Sequence, residues 1–222
     1  MQVKVISVSN PVPDTEIETA DGLIAYTARV SNPNNQNNTQ TAPRLLNYLK
    51  KHAHWSPFEM AHVVIEINTT RDIGRQILRH RSFAFQEFSQ RYADVSALGD
   101  MFETREARLQ DPKNRQNSVV IEDVNSDAVT YWEQAQLEII EMCKQVYTTA
   151  LELGIAKEQA RAVLPEGLTK SRLYMAGSLR SWIHYCDLRR ANGTQKEHME
   201  IAEACWQALL EHFPSLQENE NT

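Results

Sequence analysis

Arg79-His80-Arg81-Ser82-Phe83-Ala84-Phe85-Gln86-Glu87-Phe88-Ser89-Gln90-Arg91-Tyr92 is the stretch of this chain that decides how the rest is read. Three arginines, a histidine, two serines and a single glutamate are set among four aromatic rings. Upstream, Arg71 and Arg75 extend the window to five arginines against Asp72 and Glu87, while the whole chain carries a net charge of -6. A basic island in an acidic protein points to a compact anionic ligand, because the planar guanidinium fork holds phosphate or a polarised carbonyl in fixed geometry.

Working outward, 222 residues with 41% hydrophobic content describe one substantial globular domain. No apolar run reaches membrane-spanning length, and Met1-Gln2-Val3-Lys4-Val5 lacks the pattern of a secretory signal, so a cytoplasmic protein without membrane contact is expected. The sequence pI of about 5.7 argues against a general nucleic-acid binder. The seven glycines never fall closer than ten residues apart, which excludes the dinucleotide fingerprint and the P-loop. Cys143, Cys186 and Cys205 each lie in a helical pattern and read as buried, reduced thiols.

Val3–Val8 and Ala61–Asn68 alternate apolar and polar residues and read as strands. Thr41 or Pro43 opens a short helix to Lys51, and Thr70 caps another whose Arg71, Arg75 and Arg79 recur every four residues. That helix is expected to deliver Arg79-His80-Arg81 near its end, with Ser82–Phe88 as loop. Residues 99–118 read as a polar surface excursion without period. Ser126 caps a long helix to Leu153, closed by Gly154. A short helix carries Arg161, a single helix is expected from Thr169 to about Arg190, and Gln195–Phe213 reads as a last amphipathic helix. The expected class is α+β, helices packed on a mainly N-terminal sheet, with residues 1–215 as one catalytic domain and 216–222 as a polar, mobile tail.

Three constellations carry possible chemistry. The arginine stripe 71/75/79 taken alone suits a solvated helix face, but Arg81, Arg91 and the intervening aromatics shift it toward anion binding. In the group Arg161, Arg172, Arg180, Arg189 and Arg190, helix-dipole compensation explains the last two cheaply but not Arg180. His52, His54 and Glu59 invite a metal reading, yet no partner stands at zinc-like spacing, so no metal is expected.

The anchors Arg79, His80, Arg81 and Ser89, an Arg-His-Arg triplet followed by seven residues and a serine, resemble the flavin-dependent thymidylate synthase family. The likeness runs over roughly 46–92 and 156–197, and includes the histidine and Ser56-Pro57-Phe58-Glu59 run that its members carry. It implies reductive methylation of deoxyuridylate (dUMP) to thymidylate (dTMP). Methylenetetrahydrofolate would supply the carbon, and FAD reduced by NADPH the hydride. Carried over, Ser56, Arg79, His80, Arg81, Glu87, Ser178, Leu179, Arg180 and His184 would contact flavin. Gln76, Arg79, Glu87, Ser89, Arg91, Arg161 and Arg189 would contact the nucleotide, with Arg91 and Arg161 at its phosphate and Arg189 facing the pyrimidine as the catalytic group. Gln86, Ser178 and His184 depart from the asparagine common at those positions but keep hydrogen-bonding capacity. The family's homotetramers share sites between subunits, so self-association is implied.

No cysteine lies near a nucleotide-binding motif, so the ring would have to be activated electrostatically rather than by a covalent thiol. Two other readings stay open on sequence: a flavin- or nucleotide-binding regulator without turnover, and an RNA-binding module that stacks bases on Phe83, Phe85, Phe88 and Tyr92.

Overall fold

The computed structural model describes residues 1–217. Its centre is a four-stranded antiparallel sheet of β1 (Gln2–Val8), β2 (His62–Thr70), β3 (Ala84–Glu87) and β6 (Lys170–Ser178), ordered β1-β2-β6-β3. Two further strands, β4 (Arg108–Gln110) and β5 (Ser118–Val120), form a separate hairpin. The helices are α1 (Ala20–Ala28), α2 (Ala42–Lys51), α3 (Arg71–Ile77), α4 (Asp127–Glu152), α5 (Lys157–Ala160), α6 (Leu179–Arg189) and α7 (Lys196–His212).

Period-2 alternation gives the sheet one apolar face. Val63, Ile65 and Ile67 of β2 and Leu173 and Met175 of β6 are fully buried. They share one core with Leu46 of α2, Trp182 and Ile183 of α6, and Ile201, Cys205 and Leu209 of α7. Helical spacing in the last helix predicts Ile201, Cys205 and either Ala208 or Leu209 inward, and Ile201, Cys205 and Leu209 are the buried ones. The Trp182 indole donates to the Val63 carbonyl at 3.1 Å, which pins α6 to the sheet. On the opposite face Glu66 accepts from Tyr174, and Asn68 accepts from Arg172 at 2.8 Å. The α+β class and the single domain are as expected from sequence.

Two differences concern the central sheet, and one cause explains both. The helix expected over Thr169–Arg190 is instead strand β6 followed by α6. Ser171, Leu173 and Met175 face inward and Arg172 and Tyr174 outward, a period of two that tertiary pairing enforces on residues of mixed propensity. Ser178 starts the helix afresh by accepting the Ser181 amide. Ser82–Phe88, expected as loop, contains β3, whose pairing partner is β6 itself. The first 87 residues supply three of the four strands, and the C-terminal half supplies the inner one that joins β2 to β3.

The helix after Thr70 ends at Ile77, two residues short of Arg79, so Arg79-His80-Arg81 lies in the following turn. The 99–118 excursion is not featureless, because it holds β4 and starts β5. Gly154 closes α4 with φ +81°, a conformation that favours glycine. Leu216, placed in the tail by sequence, is buried in the core. The remainder of that expected mobile tail, 218–222, lies outside the described residues.

Candidate active site

One end of the sheet collects most of the residues the sequence assigns to flavin. There β2 begins, β6 ends and β3 begins: His62 is opposite Ser178, and Ala84 is opposite Ala176. Ser56 is exposed at the start of a 3-10 turn, Ser56–Met60, that leads into β2. In that turn Glu59 accepts from Arg180 at 2.8 Å. The Ser178 hydroxyl, then Arg180 and His62, hold the Glu59 carboxyl below the usual carboxylate range against the opposing effect of burial. His184 is exposed and meets the Trp55 ring edge-on at 4.6 Å. Leu179 differs from its neighbours: its side chain is fully buried and its amide donates to the Ala61 carbonyl, so it packs the core.

The turn carrying Arg79-His80-Arg81 enters this end because Phe83 just beyond it is anchored. The Phe83 ring meets Trp182 at 4.9 Å and lies over Gly177, where an added Cβ would stand 2.5 Å from the ring. Glycine at 177 therefore permits the close approach of β3 to β6. Arg79 and Arg81 are exposed, and among the described residues neither has a carboxylate partner. Two exposed guanidinium groups without a carboxylate partner, on a chain of charge -6, keep their donors available.

His80 is fixed between two groups. Its Nε2 accepts from Arg189 Nε at 2.9 Å, and its ring stands edge-on to Tyr185 at 4.9 Å. Because arginine only donates, His80 is the neutral tautomer with hydrogen on Nδ1. Burial, then Arg189 and Arg79, lower its pKa to about 4. Arg189, at the C-terminal end of α6, is thereby oriented by a side chain of the same motif.

The residues assigned to the nucleotide phosphate gather at the other end, where Glu87 is opposite Leu173. Arg91 approaches the Glu158 carboxylate at 3.9 Å, and Arg161 donates to the Glu158 carbonyl at 3.3 Å, so α5 brackets both arginines. Ser89 is exposed, and its carbonyl accepts the Tyr92 and Ala93 amides. Glu87 falls with this set: its carboxylate meets Arg71 and Arg75, each at 3.7 Å, and accepts from Ser171 at 3.0 Å. The arginine stripe at 71 and 75 is therefore ion-paired rather than free. Ser171, which donates to Glu87, and Ser178 are seven residues apart along β6, roughly 23 Å of strand at about 3.3 Å per residue.

Several residues fall outside both sets. Arg172 is bound to Asn68 and Glu66 on the outer sheet face, and Arg190 pairs with Glu203 and lies 5.1 Å over Trp206. Phe83 and Phe85 pack against the core, which removes them as stacking platforms, while Tyr92 is 88% exposed. Cys186 and Cys205 are buried thiols whose pKa burial pushes up, so neither is an activated thiolate, and Cys143 lies half-buried in α4. His52 and His54 both make ring contacts with Tyr48.

The family described as thymidylate synthase complementing protein matches residues 15–215. A probable flavin-dependent thymidylate synthase of Paramecium bursaria Chlorella virus 1 is 49% identical over 216 residues, covering 97% of both chains. The chain belongs to the flavin-dependent thymidylate synthase family. A flavin-dependent thymidylate synthase of Synechocystis sp. is likewise 49% identical over 218 residues, again at 97% coverage of each. Among solved structures, a UMP/dUMP methylase, PolB, from Streptomyces cacaoi bound with 5-Br dUMP superposes with a TM-score of 0.79 at 26% identity. That match covers 96% of this chain and 91% of that one.

For a flavin-dependent thymidylate synthase the motif reading overlooked a buried polar group. His198 is fully buried, its Nδ1 lies 3.2 Å from Gln76 Oε1, and its Nε2 lies 3.1 Å from the Tyr185 hydroxyl. Gln76 continues to Gln195 at 2.7 Å, and Gln195 to Glu197 at 2.9 Å. Glu197 is held by Arg105 at 3.1 Å and by Arg108. A signal existed: His198 sits three and seven residues before Ile201 and Cys205, on the stripe already read as inward. A histidine on a buried stripe requires partners, and nothing in one sequence names them.

Proposed function

We propose that this protein methylates dUMP to dTMP, with methylenetetrahydrofolate as carbon donor and FAD, reduced by NADPH, as hydride source. The observation that carries the reading is the exposed pair Arg79 and Arg81, in the turn before Phe83 whose ring lies over Gly177, with Arg189 locked onto His80. This donor set fits a pyrophosphate-bearing cofactor: unpaired guanidinium groups match its charge, and the exposed Ser56 hydroxyl and His184 ring add a polar contact and an aromatic edge. Arg79, His80, Arg81, Ser56, Ser178, Arg180 and His184 would hold FAD there, and the bound flavin supplies the hydride.

The chain's own groups activate the pyrimidine. Arg189 is a permanent cation whose Nε is committed to His80, which leaves its two terminal nitrogens for the N3/O4 edge of the ring. Positive charge there favours negative charge on the ring and makes C5 a better nucleophile. Arg91 and Arg161, bracketed by α5, serve the phosphate, and Ser89 donates a hydrogen bond beside them. The three thiols take no part.

Sites shared within a homotetramer belong to this reading. Within one chain Arg91 and Arg161 lie against Glu158 of α5 and Arg79 and Arg81 in the turn after α3, and neighbouring subunits would complete each site. The long α4 supports such association, since Tyr131, Leu137, Met142 and Val146 are exposed. Residues 1–215 form the catalytic domain. No helix among the described residues is long and apolar enough to cross a membrane, and free thiols suit a reducing cytoplasm.

The test is NADPH oxidation by purified protein with added FAD, with and without dUMP. Strong stimulation by the nucleotide is expected. Flavin binding with no response to dUMP would instead favour the regulator.

A further inference from the structure

The hydrogen bonds joining α7 to α3 have a direction, and it is set from the excursion that sequence left without a role. Glu197 can only accept, and Arg105 and Arg108 of that excursion occupy it. The Gln195 amide nitrogen must therefore face Glu197, which turns the Gln195 oxygen toward the Gln76 amide nitrogen. The Gln76 oxygen is then left facing His198 Nδ1, which must donate. A neutral imidazole with hydrogen on Nδ1 accepts at Nε2, so the Tyr185 hydroxyl donates to it. Burial raises the Tyr185 phenol well above its ordinary value, so that proton is retained. The chain ends on the ring that meets His80, the partner of Arg189.

We propose that His198, Gln195 and Glu197 are positioning residues for the active site. The chain anchored on Arg105 and Arg108 holds His198 with hydrogen on Nδ1, and this sets which end of Gln76 each neighbour uses. One N–H and one lone pair of the Gln76 amide remain uncommitted and held in a single orientation. The inference deepens the reading above, because the nucleotide contact at Gln76 rests on it. It gives the 99–118 segment a function: it supplies the cations that polarise the whole chain.

A neutron structure of the wild-type protein locates the proton on His198 directly and does not depend on activity; hydrogen on Nε2 alone overturns the proposal. Three substitutions separate positioning from packing, read by dUMP affinity and thermal stability. In His198→Asn the amide nitrogen sits where Nδ1 was and still donates to Gln76. In His198→Gln the amide reaches the Nε2 position and serves Tyr185 only. His198→Leu removes both. The dUMP Kd is expected to stay within about threefold for His198→Asn and to rise roughly tenfold for His198→Gln and His198→Leu, the scale of one buried acceptor left without its donor. Losses that follow thermal stability rather than the nitrogen retained would overturn the proposal. Gln76→Met is the control for the underlying reading. If it leaves dUMP affinity unchanged, the nucleotide assignment of Gln76 fails, while the neutron result still decides the direction of the chain.

Discussion

Acidification should reveal how much of this fold depends on keeping His198 uncharged. The ring is fully buried, and burial, then Arg189 and His80, lower its pKa from 6.5 to about 3. Its other neighbours, Gln76 and Tyr185, carry no charge to offset these effects. The sign follows from where protons bind. Below pH 6.5 the unfolded chain takes up a proton at this position and the native protein does not, so stability falls as pH drops and is recovered as it rises. In the unfolded chain the histidine is about one-quarter protonated at pH 7 and almost fully protonated at pH 5, which at roughly 1.4 kcal/mol per pKa unit amounts to about 2 kcal/mol.

His80 adds a penalty of the same sign, so the measurement must isolate His198. Urea unfolding of wild type and His198→Asn at pH 7, 6 and 5, at matched protein and FAD concentrations, does so by difference. Wild type should lose about 2 kcal/mol more than the variant between pH 7 and 5, or about 1 M in urea midpoint for a slope near 2 kcal/mol per M. A difference between the two proteins that stays flat across this range refutes the reasoning, because the buried ring would then be exchanging protons with solvent in the native state.

Arg189→Ala should lower kcat by about 100-fold, the value of one well-placed donor, while FAD stays bound; loss of flavin instead would place Arg189 in the cofactor site. Ser89→Ala should retain turnover with weaker dUMP binding, as expected of a hydrogen-bond donor, and abolished turnover with intact binding would make it a nucleophile. Gly177→Ala should displace Phe83, costing about 1–3 kcal/mol in thermal or urea unfolding and loosening FAD through the adjoining turn. Co-assembled Arg91→Ala and Arg189→Ala subunits should recover part of the activity each lacks alone, and no recovery would argue that sites are not shared.

The family and the identity of the motif residues were legible in the sequence because they rest on local spacing. Arg79, His80, Arg81 and Ser89 keep their offsets whatever the fold does. The strands Val3–Val8 and Ala61–Asn68 and the helices before Lys51 and after Gln195 were equally plain, since amphipathic periods report burial directly. Of the elements missed, β6 had the largest consequence. Its residues suit a helix nearly as well as a strand, and its pairing partners lie 86 or more residues away, the nearest being Glu87 opposite Leu173. With β6 unread, β3 had no partner and looked like loop.

Chemistry divided along the same line. Sequence by itself determined which side chains are available: cations for an anion, no activated thiol, and a motif belonging to one family. Tertiary structure alone decided what each side chain is free to do. It spent Arg71 and Arg75 on Glu87, turned Arg172 and Arg190 to structural pairs, left Arg79 and Arg81 exposed, and buried His198 between Gln76 and Tyr185. A guanidinium or an imidazole acquires its role from the partners that folding places within hydrogen-bonding distance, and those partners are set by contacts that run across most of the chain.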